Sequence, residues 1–237
     1  MMKKLSLGIA AITLVSTPAF AGDLNNIGSL GQESFLKLSK DLGAITSYKG
    51  VTPATPLGVV GFDIGVELTA TNIENSSIFR QAGGSSSSSV LVPKLHIHKG
   101  LPFGFDIGAF ISKVSDANIS LIGAEARWAL IDDGIATPAV GLRIAGTKET
   151  GVGQIDLSTL SADIVLSKKL TFVTPFIGAG RVQVKSKPNV GGLREEKFNQ
   201  SRIFAGLNAN FAVVNVAVEA EKQGDATSLS AKAGWRF

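Results

Sequence analysis

Cysteine is absent from the 237 residues of this sequence, which excludes a disulfide framework and thiol chemistry. The sequence also lacks any run of about 20 apolar residues, the length that a membrane-spanning helix requires. An excess of one charge is lacking too, because 23 basic residues stand against 19 acidic ones. A surface that binds nucleic-acid phosphates needs a clear basic excess, so this balance argues against nucleic acid as a partner.

The first 21 residues have the three-part pattern of a secretory signal peptide. Lys3 and Lys4 form a positive region, residues 5–15 an apolar core, and residues 19–21 an A-x-A cleavage site. We therefore predict cleavage before Gly22 and export of the protein. Removal of the two lysines leaves 21 basic and 19 acidic residues on the mature chain.

A segment at 22–56 is distinct from the rest of the chain and is predicted to contain an amphipathic helix. Ser29 and Gln32 have the spacing of a capping box, which satisfies free N–H groups in the first helical turn. Apolar residues then recur every three or four positions at Phe35, Leu38, Leu42 and Ile45. We expect this helix either to plug the periplasmic mouth of the downstream domain, to lie on the inner leaflet, or to contact a partner.

From residue 57 onward the hydrophobic period changes to two, which is typical of strands with one apolar face. Ten such runs occur, at 58–71, 89–98, 103–113, 119–130, 137–148, 157–167, 171–185, 201–211, 214–222 and 227–237. A soluble β-sandwich also alternates, but its strands are usually shorter than the about 9–11 residues that cross a bilayer at a tilt. The run lengths favour membrane strands.

The connections between the runs alternate in character. Those after even-numbered runs are short, whereas three of those after odd-numbered runs are long and polar, at 72–88, 149–156 and 186–200. Bacterial outer-membrane barrels have short periplasmic turns and longer external loops. We predict an all-β, antiparallel up-and-down transmembrane barrel of about ten strands over 57–237, with eight or twelve strands as alternatives.

Aromatic side chains cluster at one end of this barrel once the strands are given alternating directions. Aromatic rings favour the bilayer interface, so the cluster is predicted to form a membrane girdle on the periplasmic side. The girdle residues are Phe62, Phe103, Phe105, Trp128, Phe172, Phe211, Trp235 and Phe237.

The last ten residues, SLSAKAGWRF, alternate apolar positions and end on an aromatic residue, Phe237. They resemble the terminal strand of Gram-negative outer-membrane β-barrel proteins. The resemblance implies a location in the outer membrane, among its lipid and lipopolysaccharide, and recognition of the terminal strand by the barrel-assembly machinery. Pro93 departs from the pattern, because a closed barrel has no edge at which a missing N–H is harmless. We expect a bulge or a strand end there.

The inward faces of the predicted strands carry charges of both signs, and we expect none on the outward face within a span, where a charge costs up to ~2–4 kcal/mol. The predicted lumen-lining residues are Asp63, Glu67, Lys94, His96, His98, Asp106, Glu125, Arg127, Arg143, Asp163, Arg181, Arg202, Glu219, Glu221, Lys232 and Arg236. The charges either line a narrow pore or pair across the lumen and fill it. Ten strands and an even charge balance favour a filled or very narrow lumen.

His96 and His98 share the lumenal face near a periplasmic turn, and a hairpin through Gly100 is expected to place Asp106 opposite His96. Two histidines and a carboxylate suit a metal such as zinc, or a general-base pair, but a polar network is the simpler interpretation. We therefore predict no catalytic, metal-binding or cofactor-binding residues. The leading functional hypothesis is a structural or surface-interaction barrel, with loops 72–88 and 186–200 facing outward. A porin-like channel for small solutes, plugged by the helix, is the alternative, and an outer-membrane enzyme is the third.

Overall fold

The computed structural model describes residues 24–84, 87–114 and 119–237, and the predicted signal peptide lies outside these ranges. The described chain contains helix α1 (Gln32–Thr46), a short helix α2 (Ser76–Gln81) and ten strands. The strands are β1 (Phe62–Asn72), β2 (Ser89–Gly100), β3 (Phe105–Val114), β4 (Ile119–Ile131), β5 (Ala139–Thr150), β6 (Ile155–Ser167), β7 (Val173–Pro188), β8 (Glu196–Phe211), β9 (Val214–Gln223) and β10 (Ala226–Arg236). Neither described helix is long and apolar enough to cross a membrane.

The ten strands form one closed antiparallel barrel, which confirms the predicted fold and strand number. Each strand pairs with its neighbour in the chain, and β1 closes the barrel on β10 from Asp63↔Arg236 to Asn72↔Thr227. Each described strand therefore has a neighbour on both sides, although the pairing of β2 with β3 covers only part of β2. We call the end with the connections after β2, β4, β6 and β8 the short-turn end, and the opposite end the long-loop end.

The long-loop end is more ordered than the sequence suggests. Much of the segment predicted as loop 186–200 is strand, because β7 continues to Pro188 and β8 begins at Glu196. The inward residue Ser186 of this extension and its neighbour Val184 are buried against α1, and this packing stabilises the longer strands. The predicted loop 72–88 contains α2, which buries Phe79 completely.

Pro93 lies within β2 without a bulge on the β1 side, where the register runs evenly through Leu68↔Pro93. On the other side, β2 pairs with β3 only from Leu95↔Ile111 to Gly100↔Asp106. The missing N–H of Pro93 therefore lies just beyond the end of the β2–β3 ladder. The pairing of β2 thus ends near Pro93 on the β3 side, as expected, but continues past it on the β1 side.

The N-terminal segment runs through the barrel from end to end. Asn26 donates its backbone N–H to Ala82, beside α2 at the long-loop end. Leu57 donates its backbone N–H to Asp106 at the short-turn end, at 3.1 Å, and β1 begins there. We call residues 24–57 the lumenal thread. Its helix lies inside the lumen, in the long-loop half of the barrel and away from the short-turn end, which is the end predicted to face the periplasm.

Candidate functional site: the lumenal thread

The apolar face of α1 fills the long-loop half of the lumen. Phe35, Leu38, Leu42 and Ile45 are all at most 5% exposed and pack in one cluster with inward residues of the strands. Those strand residues are Val90, Val92, Leu121, Leu157, Val182 and Val184. The predicted helical period is thus correct, but its apolar face meets a barrel interior in place of a membrane or a partner.

Polar contacts fix the helix to the rim of the long-loop end. The side chain of Gln32 exchanges hydrogen bonds with the backbone of Arg194, at 2.9 and 3.1 Å. The Ser39 hydroxyl donates to the Ser186 hydroxyl of β7 at 2.8 Å. The Asp41 carboxylate accepts the backbone N–H of Asn75 at 2.9 Å, and burial raises the pKa of this carboxyl above its usual value. The helix is therefore anchored on two sides of the mouth.

The middle of the thread, after α1 ends, is extended, polar and buried. Tyr48 and Lys49 are both 0% exposed. The Tyr48 carbonyl accepts a hydrogen bond from Arg202 at 2.7 Å, and its ring contacts the rings of His96 and Phe110. Lys49 Nζ donates to the Ala44 carbonyl at 2.8 Å and lies 3.2 Å from Glu221. The thread thus forms both an ion pair and a backbone hydrogen bond with the barrel wall.

The thread leaves the lumen through further contacts at the short-turn end. Arg127 Nη1 donates to the Thr52 hydroxyl at 2.8 Å and to the Pro53 carbonyl at 3.2 Å. The Ala54 N–H donates to the Ser167 hydroxyl at 3.1 Å. The thread passes close to Arg143 at Gly50, where a Cβ would lie 2.0 Å from Arg143 Nη1, so a larger residue would force the guanidinium to move. Together with the hydrogen bond from Leu57 to Asp106 of β3, these contacts join the exit of the thread to four successive strands, β3 to β6.

Fifteen of the sixteen predicted lumen residues face the interior. Arg236 is partly buried, and the others are at most 9% exposed: Asp63, Glu67, Lys94, His96, His98, Asp106, Glu125, Arg127, Arg143, Asp163, Arg202, Glu219, Glu221 and Lys232. Most are paired: Lys94 with Glu67 at 2.6 Å, Arg143 with Asp163 at 2.9 Å, and Lys232 with Asp63 at 3.2 Å. The interior is therefore filled by ion pairs and by the thread.

Arg181 is the exception, and its predicted place in the lumen is wrong. It is exposed and pairs in register with the outward residues Ala162 and Ser201. In β7 the inward positions are even-numbered, including the buried Val182 and Val184. Alternation was misread because small residues occupy both faces at 178–180. Lys49 of the thread supplies the seventh positive charge that Arg181 was expected to contribute.

The histidines have different partners from those expected. His96 pairs in register with Phe110 and His98 with Gly108, whereas Asp106 lies opposite Gly100. The turn at Pro102–Gly104 lengthens the connection and shifts the register, so Asp106 does not face His96. His96 Nε2 instead lies 2.7 Å from Glu67, and His98 Nε2 lies 3.0 Å from Glu125. Among the described residues, no group of three or more His, Asp or Glu side chains is arranged to hold a metal.

The predicted girdle residues all lie at the short-turn end. Trp235 and Phe237 are 64% and 69% exposed, and three aromatic pairs contact one another across strands. The pairs are Phe62 with Phe237, Phe105 with Trp128, and Phe172 with Phe211. The remaining member, Phe103, is 90% exposed in the turn between β2 and β3. Between this end and the long loops the outward face is mainly aliphatic.

Sequence reasoning missed the thread residues that matter most, Tyr48, Lys49 and Thr52. The stretch after α1 has neither a helical nor a strand period, so it was indistinguishable from a linker. The clearest sign in the sequence is the adjacent pair Tyr48 and Lys49, because the stretch around them has no amphipathic period that would place them on a solvent-exposed face.

Solved structures similar to this chain are outer-membrane β-barrels. The N-terminal β-barrel domain of Pseudomonas aeruginosa OprF is 15% identical with a TM-score of 0.39, covering 73% of this chain and 97% of that domain. Ail of Yersinia pestis is 12% identical with a TM-score of 0.34, covering 75% of this chain and 98% of Ail. Neisserial surface protein A is 10% identical with a TM-score of 0.33, covering 74% and 96%. No protein-family model and no curated protein matches the sequence.

Proposed function

We propose that this protein is an integral outer-membrane barrel, exported through a cleaved signal peptide, whose lumen is closed by its own N-terminal thread. Its role is structural or concerns surface interaction, and it does not conduct solutes in this state. The observation that supports this proposal is the complete burial of Tyr48 and Lys49 inside the barrel. A lumen occupied by backbone and by neutralised ion pairs leaves no continuous path for a hydrated solute.

The outward surface supports placement in a bilayer. Aliphatic side chains such as Ile144, Ile164 and Ile203 are each at least 55% exposed on the outer wall. A soluble protein rarely exposes such a continuous apolar belt, whereas a barrel in lipid requires one. The exposed outward positions of β10 and the terminal Phe237 are the features that the barrel-assembly machinery would read.

Enzymatic and channel functions are less well supported. His96 and His98 are at most 1% exposed, so a substrate has no access to them with the thread in place. A gated channel remains the second candidate, because the short-turn half of the lumen is lined by charges that would face water once the thread left.

The refolded full-length protein is expected to be electrically silent in a planar bilayer. Heat-modifiable gel mobility provides the folding control, because a folded barrel migrates differently from its boiled form. Discrete, reproducible conductance steps from a protein that passes this control would contradict the proposed occlusion and favour the channel.

A further inference from the structure

The outward face of the barrel is strongly asymmetric in charge. Among described strand residues that face outward in the half nearer the long loops, seven are basic and one, Asp156, is acidic. The basic residues are Lys113, Lys148, Arg181, Lys185, Lys187, Lys197 and Lys222. The strands therefore do carry outward charges, and these lie at their long-loop ends. The whole chain has a net charge of only +4, so the local excess is not a reflection of composition.

Three of these lysines lie in one lateral row on four adjacent strands. Lys148 pairs in register with Ser158, Ser158 with Lys185, and Lys185 with Lys197. Neighbouring strands are about 4.8 Å apart, so the ammonium groups of Lys185 and Lys197 project from directly opposed positions. We call Lys148, Lys185 and Lys197 the lysine row.

The lysine row is destabilising unless an anion accompanies it. Like charges placed directly opposite on adjacent strands repel each other. Two carboxylates of the described chain lie near the row: Glu195, which is 3.6 Å from Lys185 Nζ, and Asp156, which faces outward and pairs in register with Lys187. Exposed pairs of this kind contribute little to stability, and Lys187 and Arg181 add positive charge nearby, so most of the charge of the row is left without compensation from the protein.

The position of the row matches the outer edge of the apolar belt. Arg181 follows the girdle residue Phe172 by nine residues, and a tilted strand rises about 24 Å over that length, close to the ~25 Å height of a membrane belt. Lys185 therefore lies just beyond the hydrocarbon. β7 and β8 have 16 residues each, whereas β9 and β10 have 10 and 11, so the wall is tallest at the row.

Uncharged polar side chains also occupy outward positions beside the row. Gln183 faces Asn199 across β7 and β8, and Ser158 lies between two lysines. Such side chains suit sugar hydroxyls, whereas the lysines suit phosphates. A tall, polar wall beside a cationic row fits a headgroup that is both phosphorylated and glycosylated.

We propose that the lysine row binds the phosphate groups of a phosphorylated glycolipid in the leaflet at the long-loop end. This inference rests on the proposed membrane location and adds a lipid-binding site on the outer wall. It also gives a physical reason for the scarcity of aromatic residues at this rim, because cations anchor the barrel there in place of rings.

The test compares two triple variants in a non-ionic detergent titrated with purified lipopolysaccharide. The first is Lys148→Gln/Lys185→Gln/Lys197→Gln, and the second, a control with the same change in net charge, is Lys99→Gln/Lys168→Gln/Lys169→Gln at the short-turn end. The readout is the temperature at which heat-modifiable mobility is lost. At about 1 kcal/mol per lysine, the row variant should need about 100-fold more lipopolysaccharide for half-maximal stabilisation. The control should match the wild type.

An arginine variant, other anions and a vesicle-insertion assay distinguish the possible outcomes. Replacement of the row by arginine preserves charge and should retain the response, whereas an equal response of wild type and row variant to lipopolysaccharide would overturn the site. Stabilisation of the wild type by phosphatidylglycerol or inorganic phosphate as strongly as by lipopolysaccharide would overturn the glycolipid assignment. A wild type that inserts into phosphatidylcholine vesicles but ignores lipopolysaccharide contradicts only this inference. A failure to insert contradicts the proposed membrane location itself.

Discussion

Deletion of residues 22–56 should convert a silent barrel into a conducting one. The deletion removes the apolar side chains that fill the long-loop half of the lumen and the backbone that accepts bonds from Arg127 and Arg202. The inward charges of the strands then face open space that water and ions can enter. We expect discrete single-channel steps in a planar bilayer, where the full-length protein shows none.

Two further variants accompany this deletion, one as a control and one as an alternative test. Removal of residues 22–29 alone takes Leu24 and Ile27 from the buried cluster but leaves α1 and the rest of the thread in the lumen, so that protein should remain silent. If the long deletion does not fold, Leu38→Glu/Leu42→Glu provides the same test without shortening the chain, because two buried carboxylates cannot remain in an apolar seat. A folded deletion variant that is as silent as the wild type would show that side chains of the wall alone close the lumen.

Replacement of Lys49 by methionine should destabilise the folded barrel by about 3–5 kcal/mol, the usual cost of breaking a buried ion pair. Lys49 Nζ lies 3.2 Å from Glu221, and the side chains of both residues are at most 1% exposed. Arg202, at 3.5 Å, is left as the remaining partner of the Glu221 carboxylate, so the lower end of this range is expected. Urea titration of the protein refolded in lipid vesicles measures the free energy of unfolding.

The helix of the same thread provides a matched control for this substitution. Lys37 pairs with Glu33 at 2.7 Å, but the two side chains are 46% and 82% exposed. Lys37→Met should therefore change the free energy of unfolding by less than about 0.5 kcal/mol. Adding Glu221→Gln to Lys49→Met should recover part of the loss, because the uncompensated buried charge is removed. Equal effects of Lys49→Met and Lys37→Met would indicate that Lys49 does not lie in the lumen.

The barrel could be predicted from the sequence because its strands repeat one simple pattern. An inward residue such as Asp63 and an outward residue such as Ile64 differ in chemistry, so alternation fixes both the strand and its face. The prediction failed at Arg181, where small residues on both faces removed that contrast.

The path of the thread could not be predicted because nothing local determines it. The face of α1 carrying Leu38 and Leu42 would suit a bilayer surface, a partner or a lumen equally well. What places it in the lumen is the set of distant contacts with Ser186, Arg202 and Arg127, which only the closed barrel brings together. The partners of His98 were missed for the same reason, since they depend on a register that the turn at 102–104 shifts.

The most direct test of the account uses engineered disulfides, for which a chain without native cysteine has no background. Ser39 and Ser186 hydroxyls lie 2.8 Å apart at the long-loop end, and Thr55 and Ser167 hydroxyls lie 3.4 Å apart at the short-turn end. Four double-cysteine variants join each thread position to each wall position, and non-reducing gels detect the cross-links after mild oxidation of the folded barrel. The threaded lumen predicts efficient cross-linking of Ser39→Cys/Ser186→Cys and Thr55→Cys/Ser167→Cys, with none for the swapped combinations Ser39→Cys/Ser167→Cys and Thr55→Cys/Ser186→Cys. Cross-linking of a swapped pair, or of neither matched pair in a folded barrel, would contradict the thread and its direction.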